Sequence, residues 1–310
     1  YSSVINACAK GGESQRALDL LDEMRSRGLV PNEITYSSVI NACAKGGESQ
    51  RALGLLEEMR SRGLAPDVIT YSSVINACAK GDEGRRALKL LDEMRSRGLV
   101  PDMITYNSVI NACAKGDEWR RALEVFDEMR PRNLTPDSTA YAAALNACAI
   151  GRQPERALSL FESLQRERLT PGVSHWSHLL DAIGPNHAQS RSLLLQMLEQ
   201  PFFADADSIE AGVPTFDLHG LSAGAAEMVV RWWLLNQLPK RLAAGEMSEP
   251  THVVLVTGHG ESRVLKEAGV VKQRVLELAS ELGTVVEQSN RGGVVLGWQL
   301  TGGGNASATV

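Results

Sequence analysis

No run of 18 apolar residues occurs in the 310-residue sequence, which excludes a membrane-spanning helix. The formal net charge is −5, so the positive excess that marks a generic nucleic-acid binder is missing. Cysteine is scarce: Cys8, Cys43, Cys78, Cys113 and Cys148 stand 35 residues apart. That spacing excludes a CxxC zinc site, and an odd number fits poorly with a disulfide scaffold. Each cysteine reads instead as one small buried residue in a repeating unit. Hydrophobic content of 43% and charged content of 22% are those of ordinary globular proteins. Residues 1–172 hold 23 basic and 23 acidic side chains, and the remainder holds 9 and 14. A solenoid can sort such a zero-net set onto opposite faces. The first residue is Tyr1, inside a repeat, which reads as a fragment whose targeting peptide lies outside it.

What is present is a 35-residue period. Thr35-Tyr36-Ser37-Ser38-Val39-Ile40-Asn41-Ala42-Cys43-Ala44-Lys45 returns at Thr70 and, with Asn107 for serine, at Thr105. A looser copy runs over 140–150, and a fragmentary one starts near His175-Trp176-Ser177. Tyr36, Val39, Ile40 and Cys43 follow the i, i+3, i+4, i+7 pattern of one apolar helical face. Thr35 is positioned to cap that helix, and Gly46-Gly47 breaks it. A second helix is predicted from Glu48 to Arg62, with Ala52, Leu53, Leu56 and Met59 inward, Gly63 closing it and Pro66 barring continuation. One hairpin cannot bury both faces, but stacked hairpins can, which gives a superhelical solenoid with a concave groove. Arg60, Arg62, Arg95 and Arg97 sit among acids and read as an ordinary exposed face.

The period, the Tyr-Ser/Asn opening, the Glu-Met-Arg ending and the Gly-Leu-Val/Ala-Pro-Asp/Asn tail resemble the pentatricopeptide repeat over about residues 1–180. The resemblance implies one unit per base of single-stranded RNA, read by the residue after the tyrosine and the residue after the proline. The pairs here are Ser2 with Asn32, Ser37 with Asp67, Ser72 with Asp102 and Asn107 with Asp137. Ala142 with Gly172 departs from the pattern and offers no side-chain hydrogen-bonding group. By analogy the four units spell A, G, G, U from 5′ to 3′. A small serine leaves room for a purine, and an aspartate accepts from guanine or uracil. The resemblance also implies that Ile34, Ile69 and Ile104 sandwich the bases; the alternative is that they only pack helices. Lys10, Lys45, Lys80 and Lys115 could track phosphates, or could simply favour the helix C-terminal dipole.

Past residue 182 the repeat is lost. A capping helix is expected at 193–198, with an acidic linker (Asp205, Asp207, Glu210) filling out 183–212. Over 213–301 a βαβαββ order is expected: strands near 215–218, 252–256, 284–288 and 294–300, and helices over 222–238 and 270–282. Residues 302–310 read as a disordered tail. Asp217-Leu218-His219-Gly220 and Thr257-Gly258-His259-Gly260 resemble the Smr domain, a small α/β sandwich. That family includes nicking enzymes. The resemblance implies that Asp217 could activate a nucleophile, that His219 or His259 could shuttle a proton, and that the amides of Gly258 and Gly260 could hold a phosphorane oxygen. The bland alternatives are a turn-capping Asp217 and histidines that only touch RNA.

The fold class expected is thus an α-solenoid of 35-residue hairpins followed by a small Smr-like α/β sandwich. The function expected is sequence-selective binding of single-stranded RNA with core AGGU, in organellar RNA processing, stability or expression, by a monomer. Alternatives are a site-directed endoribonuclease and a protein-interaction scaffold. No cofactor or metal is implied by binding; a nuclease reading leaves room for Mg2+. The resemblance favours a chloroplast over a mitochondrion.

Overall fold

The computed structural model describes residues 1–203, 207–210, 213–218, 221–233, 236, 252–256, 285–288 and 293–297. The chain divides into two compact units, Tyr1–Thr170 and Pro171–Val310. The helix of the fragmentary repeat near His175 falls in the second unit.

The first unit is five helical hairpins: α1 (Ser2–Gly11) with α2 (Ser14–Ser26), α3 (Glu33–Gly46) with α4 (Ser49–Ser61), α5 (Val68–Lys80) with α6 (Gly84–Ser96), α7 (Met103–Lys115) with α8 (Trp119–Met129), and α9 (Ser138–Gly151) with α10 (Pro154–Arg166). Each first helix packs on the first helix of the next hairpin, and each second helix packs on its own first helix and the following one. First helices therefore line the tighter side of the stack, as a groove requires.

The core is one layer of equivalent side chains. Tyr36, Val39, Ile40 and Cys43 are fully buried, as are Tyr71, Val74, Ile75 and Cys78 in the next unit. Each such side chain contributes about 1.5–3 kcal/mol of apolar burial. On α4 the buried apolar set is Ala52, Leu55, Leu56 and Met59; Leu55 takes the place expected for Leu53, which is half-buried. All five cysteines are free and buried. Burial pushes the Cys43 thiol up to about 11 and those of Cys78, Cys113 and Cys148 up to about 12, which leaves them inert as nucleophiles.

Polar bonds join the hairpins. Arg60 Nη2 donates to Glu93 Oε2 at 2.7 Å and to the Tyr71 hydroxyl at 3.0 Å, and Tyr71 donates to Glu93 Oε1 at 3.0 Å. Arg25, Tyr36 and Glu58 form the same triangle at 3.1, 2.7 and 2.9 Å. Arg95 bonds Tyr106 and Glu128, and Arg130 bonds Tyr141 and Glu167. The expectation of an ordinary exposed arginine face is corrected here: Arg60 and Arg95 are only 25% and 22% exposed and span repeat junctions. Arg62 and Arg97 do stay on the surface, paired four residues back with Glu58 and Glu93.

The second unit contains α11 (Val173–Ile183), α12 (Ser190–Leu198), α13 (Ala223–Trp232) and a five-stranded sheet. Its strands are β1 (Asp207–Glu210), β2 (Val213–Asp217), β3 (His252–Val256), β4 (Val285–Gln288) and β5 (Gly293–Gly297), in the order β1-β2-β3-β5-β4. Among the described strands only β2 and β3 run parallel, with Asp217 level with Val256. The predicted strands are all present within a few residues. Strand β1 corrects the expected acidic linker: Asp207 pairs with Phe216 and Glu210 with Val213, antiparallel. The helix expected over 270–282 and the tail over 302–310 lie outside the described residues. In this unit the half-buried Asp181 of α11 accepts the Ala225 amide at 3.1 Å, tying α11 to the first turn of α13.

Candidate nucleic-acid interface

Four of the five first helices, α3, α5, α7 and α9, open one residue after a proline, on an Asx residue in extended conformation. Asn32, Asp67, Asp102 and Asp137 are the N-caps of α3, α5, α7 and α9. This corrects the expectation that Thr35 caps its helix: Thr35 sits one turn in, and its amide and hydroxyl both donate to Asn32 Oδ1, at 3.0 and 2.9 Å. Thr70 does the same to Asp67 Oδ1 at 2.8 and 2.7 Å, and Thr105 to Asp102 Oδ1 at 2.8 and 2.7 Å. In the fifth unit Ala140 replaces the threonine, and only its amide bonds Asp137 Oδ1, at 2.8 Å.

The cap decides what each Asx shows to a ligand. With Oδ1 committed to the helix, Asp67 and Asp102 present Oδ2, an acceptor, on an exposed residue. Asn32 has the same Oδ1 committed, so it presents Nδ2, a pair of donors. One substitution at the cap thus inverts the polarity of the exposed atom while leaving the cap itself intact.

Three of the four expected pairs are brought together. Asn107 Nδ2 lies 3.1 and 3.2 Å from the two carboxylate oxygens of Asp137. Its Oδ1 is buried and has no hydrogen-bond partner among the described residues. Ser72 and Asp102 meet through Thr105, whose hydroxyl is 2.6 Å from Ser72 Oγ. Ser2 reaches Asn32 in the same way, with Ser2 Oγ 3.1 Å from Thr35 Oγ1. Ser37, half-buried, is not bonded to the Thr70–Asp67 cap. Ser72 is only 8% exposed and also donates to the Val68 carbonyl, so it contributes the absence of bulk rather than a hydrogen bond.

Ile34, Ile69 and Ile104 stand two residues beyond these caps and are 64%, 64% and 65% exposed. Helix packing therefore does not account for them. The lysines lie at the far end of the same helices. Lys45 Nζ donates to the Lys10 carbonyl at 3.2 Å and Lys80 Nζ to the Lys45 carbonyl at 2.7 Å, so both reach back to the C-terminus of the preceding first helix. Lys10 and Lys115 are exposed. Sequence reading missed the role of Thr35 and Thr105 as linkers between pair members; the recurrence of a threonine three residues after Asn32, Asp67 and Asp102 was the available signal.

Asp217 ends β2, beside the end of β3. His219, Gly258, His259 and Gly260 lie outside the described residues. Among the described residues no three His, Cys, Asp or Glu side chains are grouped to hold a metal, and no helix is long and apolar enough to cross a membrane.

Residues 1–190 match the family described as the pentacotripeptide-repeat region of PRORP. The chain belongs to this pentatricopeptide repeat family. Its fold is similar to that of the maize pentatricopeptide repeat protein PPR10, at 22% identity and a TM-score of 0.55, over 90% of this chain and 39% of that one. It is also similar to nuclear proteinaceous RNase P 2 (PRORP2) of A. thaliana, at 17% identity and a TM-score of 0.52, over 63% of this chain and 45% of that one. At such identities the likeness is one of fold. The chain spans about two fifths of the length of the maize protein. Maize PPR10 has also been solved in complex with an 18-nt psaJ RNA element. No curated protein matches the chain.

Proposed function

We propose that this chain binds single-stranded RNA in a sequence-selective way, one nucleotide per repeat, with AGGU as its preferred core. The observation that carries the reading is the pairing, at the N-termini of α3, α5 and α7, of an exposed isoleucine with a cap residue whose free atom is of defined polarity. An apolar side chain supports a flat base, and the cap atom meets its edge. The acceptor of Asp67 and Asp102 suits the ring N–H of guanine, and the donors of Asn32 suit adenine, whose ring nitrogen accepts. At the fourth unit, Asn107 occupies the space a purine would need, and uracil offers the N–H that Asp137 can take. The maize relative's capture on an RNA element agrees with this reading. Binding of a short unstructured AGGU-containing RNA and of its complement, measured side by side, tests it: equal affinity removes the base assignment.

A second reading concerns the C-terminal unit, an Smr-like domain in which Asp217, His219 and His259 act on RNA and the backbone amides of Gly258 and Gly260 hold a phosphate oxygen. It is favoured by the parallel β2 and β3, which end side by side where open α/β sheets carry their sites. RNA that stays intact with purified protein, with and without magnesium, would leave this domain as a clamp rather than a nuclease. The compartment in keeping with such a domain pairing is the plastid, where the protein would process or protect a transcript.

A further inference from the structure

Between each base-reading edge and each lysine lies a row of asparagines for which neither the packing nor the base code has a use. Asn6, Asn41, Asn76, Asn111 and Asn146 occupy the same place in five successive first helices. Taken around α3 at 100° per residue, Ile34, Ser37, Ser38, Asn41 and Lys45 fall on one arc, opposite buried Tyr36, Val39, Ile40 and Cys43. Asn41, Asn76, Asn111 and Asn146 are half-exposed and Asn6 is exposed. None of these five amides is bonded to a described residue, although neighbouring serines and lysines on the same arc are. Along the helix, Asn41 is about 6 Å of rise from Ser37 and about 6 Å from Lys45.

A nucleotide laid across that arc has three chemically distinct parts. The base lies against the isoleucine and the cap, and the phosphate is drawn to the lysine. The ribose falls between them. The group offered there is a neutral amide, which donates and accepts at once and carries no charge for a phosphate. Its complement is a hydroxyl, which also donates and accepts. We infer that the asparagine row binds the ribose 2′-hydroxyl of each nucleotide and makes the array select RNA over DNA, whatever the base. The inference rests on the RNA-binding reading but not on the AGGU assignment.

The test uses the full chain, wild type against N41A/N76A/N111A, with fluorescence anisotropy on AGGU RNA, the same sequence as 2′-deoxy oligonucleotide with deoxyuridine, and the complement of each. With three modest hydrogen bonds removed, affinity for RNA is expected to fall by about tenfold or more while affinity for the deoxy strand is unchanged. The ratio between AGGU and its complement should not move, and the thermal melt should be retained because the amides bond to no described residue. The single change Asn76→Ser, which keeps a polar group but shortens it, should give a smaller loss confined to RNA. Equal losses on RNA and DNA, or an RNA-to-DNA ratio that the variant leaves intact, would overturn the inference. So would a wild type that binds both sugars equally. A wild type that prefers RNA yet ignores base sequence would sink the base code while leaving the asparagine row supported.

Discussion

Arg60 and Glu93 meet at 2.7 Å across the junction between the second and third hairpins, with the Tyr71 hydroxyl within 3.0 Å of both. The arginine belongs to α4, the glutamate to α6, and the tyrosine ring is fully buried in α5 between them. One triangle therefore fixes three helices from two repeats. Arg60→Ala should cost about 1–3 kcal/mol, since it leaves a partly buried carboxylate short of a charged donor. In a one-dimensional array the loss should loosen one junction, so urea melts should lose sharpness as well as midpoint.

The same triangles set an acid limit. Burial works to raise Glu58 and Glu93, but the tyrosine hydroxyls and the arginines outweigh it and hold both carboxyls below their usual range. A depressed folded-state pKa means that the contribution is complete above the ordinary glutamate value, about 4.3, and is lost as pH falls through the folded value. Thermal stability should accordingly drop between about pH 5 and pH 3. Glu93→Gln should show a smaller drop, from a lower starting point. A wild-type profile flat over that range would argue against these bonds.

Two glycines should respond in opposite directions. A Cβ on Gly84 would lie 2.9 Å from Cys113 Cα and 3.0 Å from the Ala112 carbonyl oxygen, both backbone atoms, so Gly84→Ala should destabilise by about 1–3 kcal/mol. A Cβ on Gly54, exposed in the middle of α4, would meet nothing within 4 Å, so Gly54→Ala should stabilise by about 0.5–1 kcal/mol. Differential scanning calorimetry of the two variants checks both signs.

In the second unit, a Cβ on Gly224 would fall 2.4 Å from Asp181 Oδ1, so Gly224→Ala should displace the carboxylate that holds the start of α13. Burial raises the Asp181 pKa against the opposing bonds from Ser222 and the Ala225 amide. A raised carboxyl favours folding in its protonated form, so this group's contribution declines as pH rises through the folded value. Asp181→Asn keeps the acceptor for Ala225 without the charge and should leave the neutral-pH melt unharmed, whereas Asp181→Ala should lower it. Loss of equal size in both variants would assign the role to charge instead.

The repeat made most of the first unit legible. The apolar arc of Tyr36, Val39, Ile40 and Cys43 marked α3, and the breaks at Gly46-Gly47 and Gly63 marked its hairpin. Thr35 was misassigned because capping preference alone barely separates threonine from asparagine; the preceding proline and the chain direction put Asn32 at the boundary. Arg60 was misread because its partners lie 11 and 33 residues away, and a charge pattern along one helix does not show a bond between hairpins. Strand β1 was hidden for a similar reason. Asp207–Glu210 has no strand pattern of its own and is extended by pairing with Val213–Asp217. The exposed cap atoms were half legible: pair members follow from the period, but the atom each presents depends on which one the cap consumes.

That last point gives the most direct measurement. Asp67→Asn keeps Oδ1 in the cap and exchanges the exposed acceptor for donors. Binding of AGGU and AAGU RNAs to the wild type and to this variant should therefore cross over: the wild type should prefer AGGU and the variant AAGU, each by about tenfold, or roughly 1.4 kcal/mol. If both proteins rank the two RNAs in the same order, the cap residues do not read bases and the account is wrong.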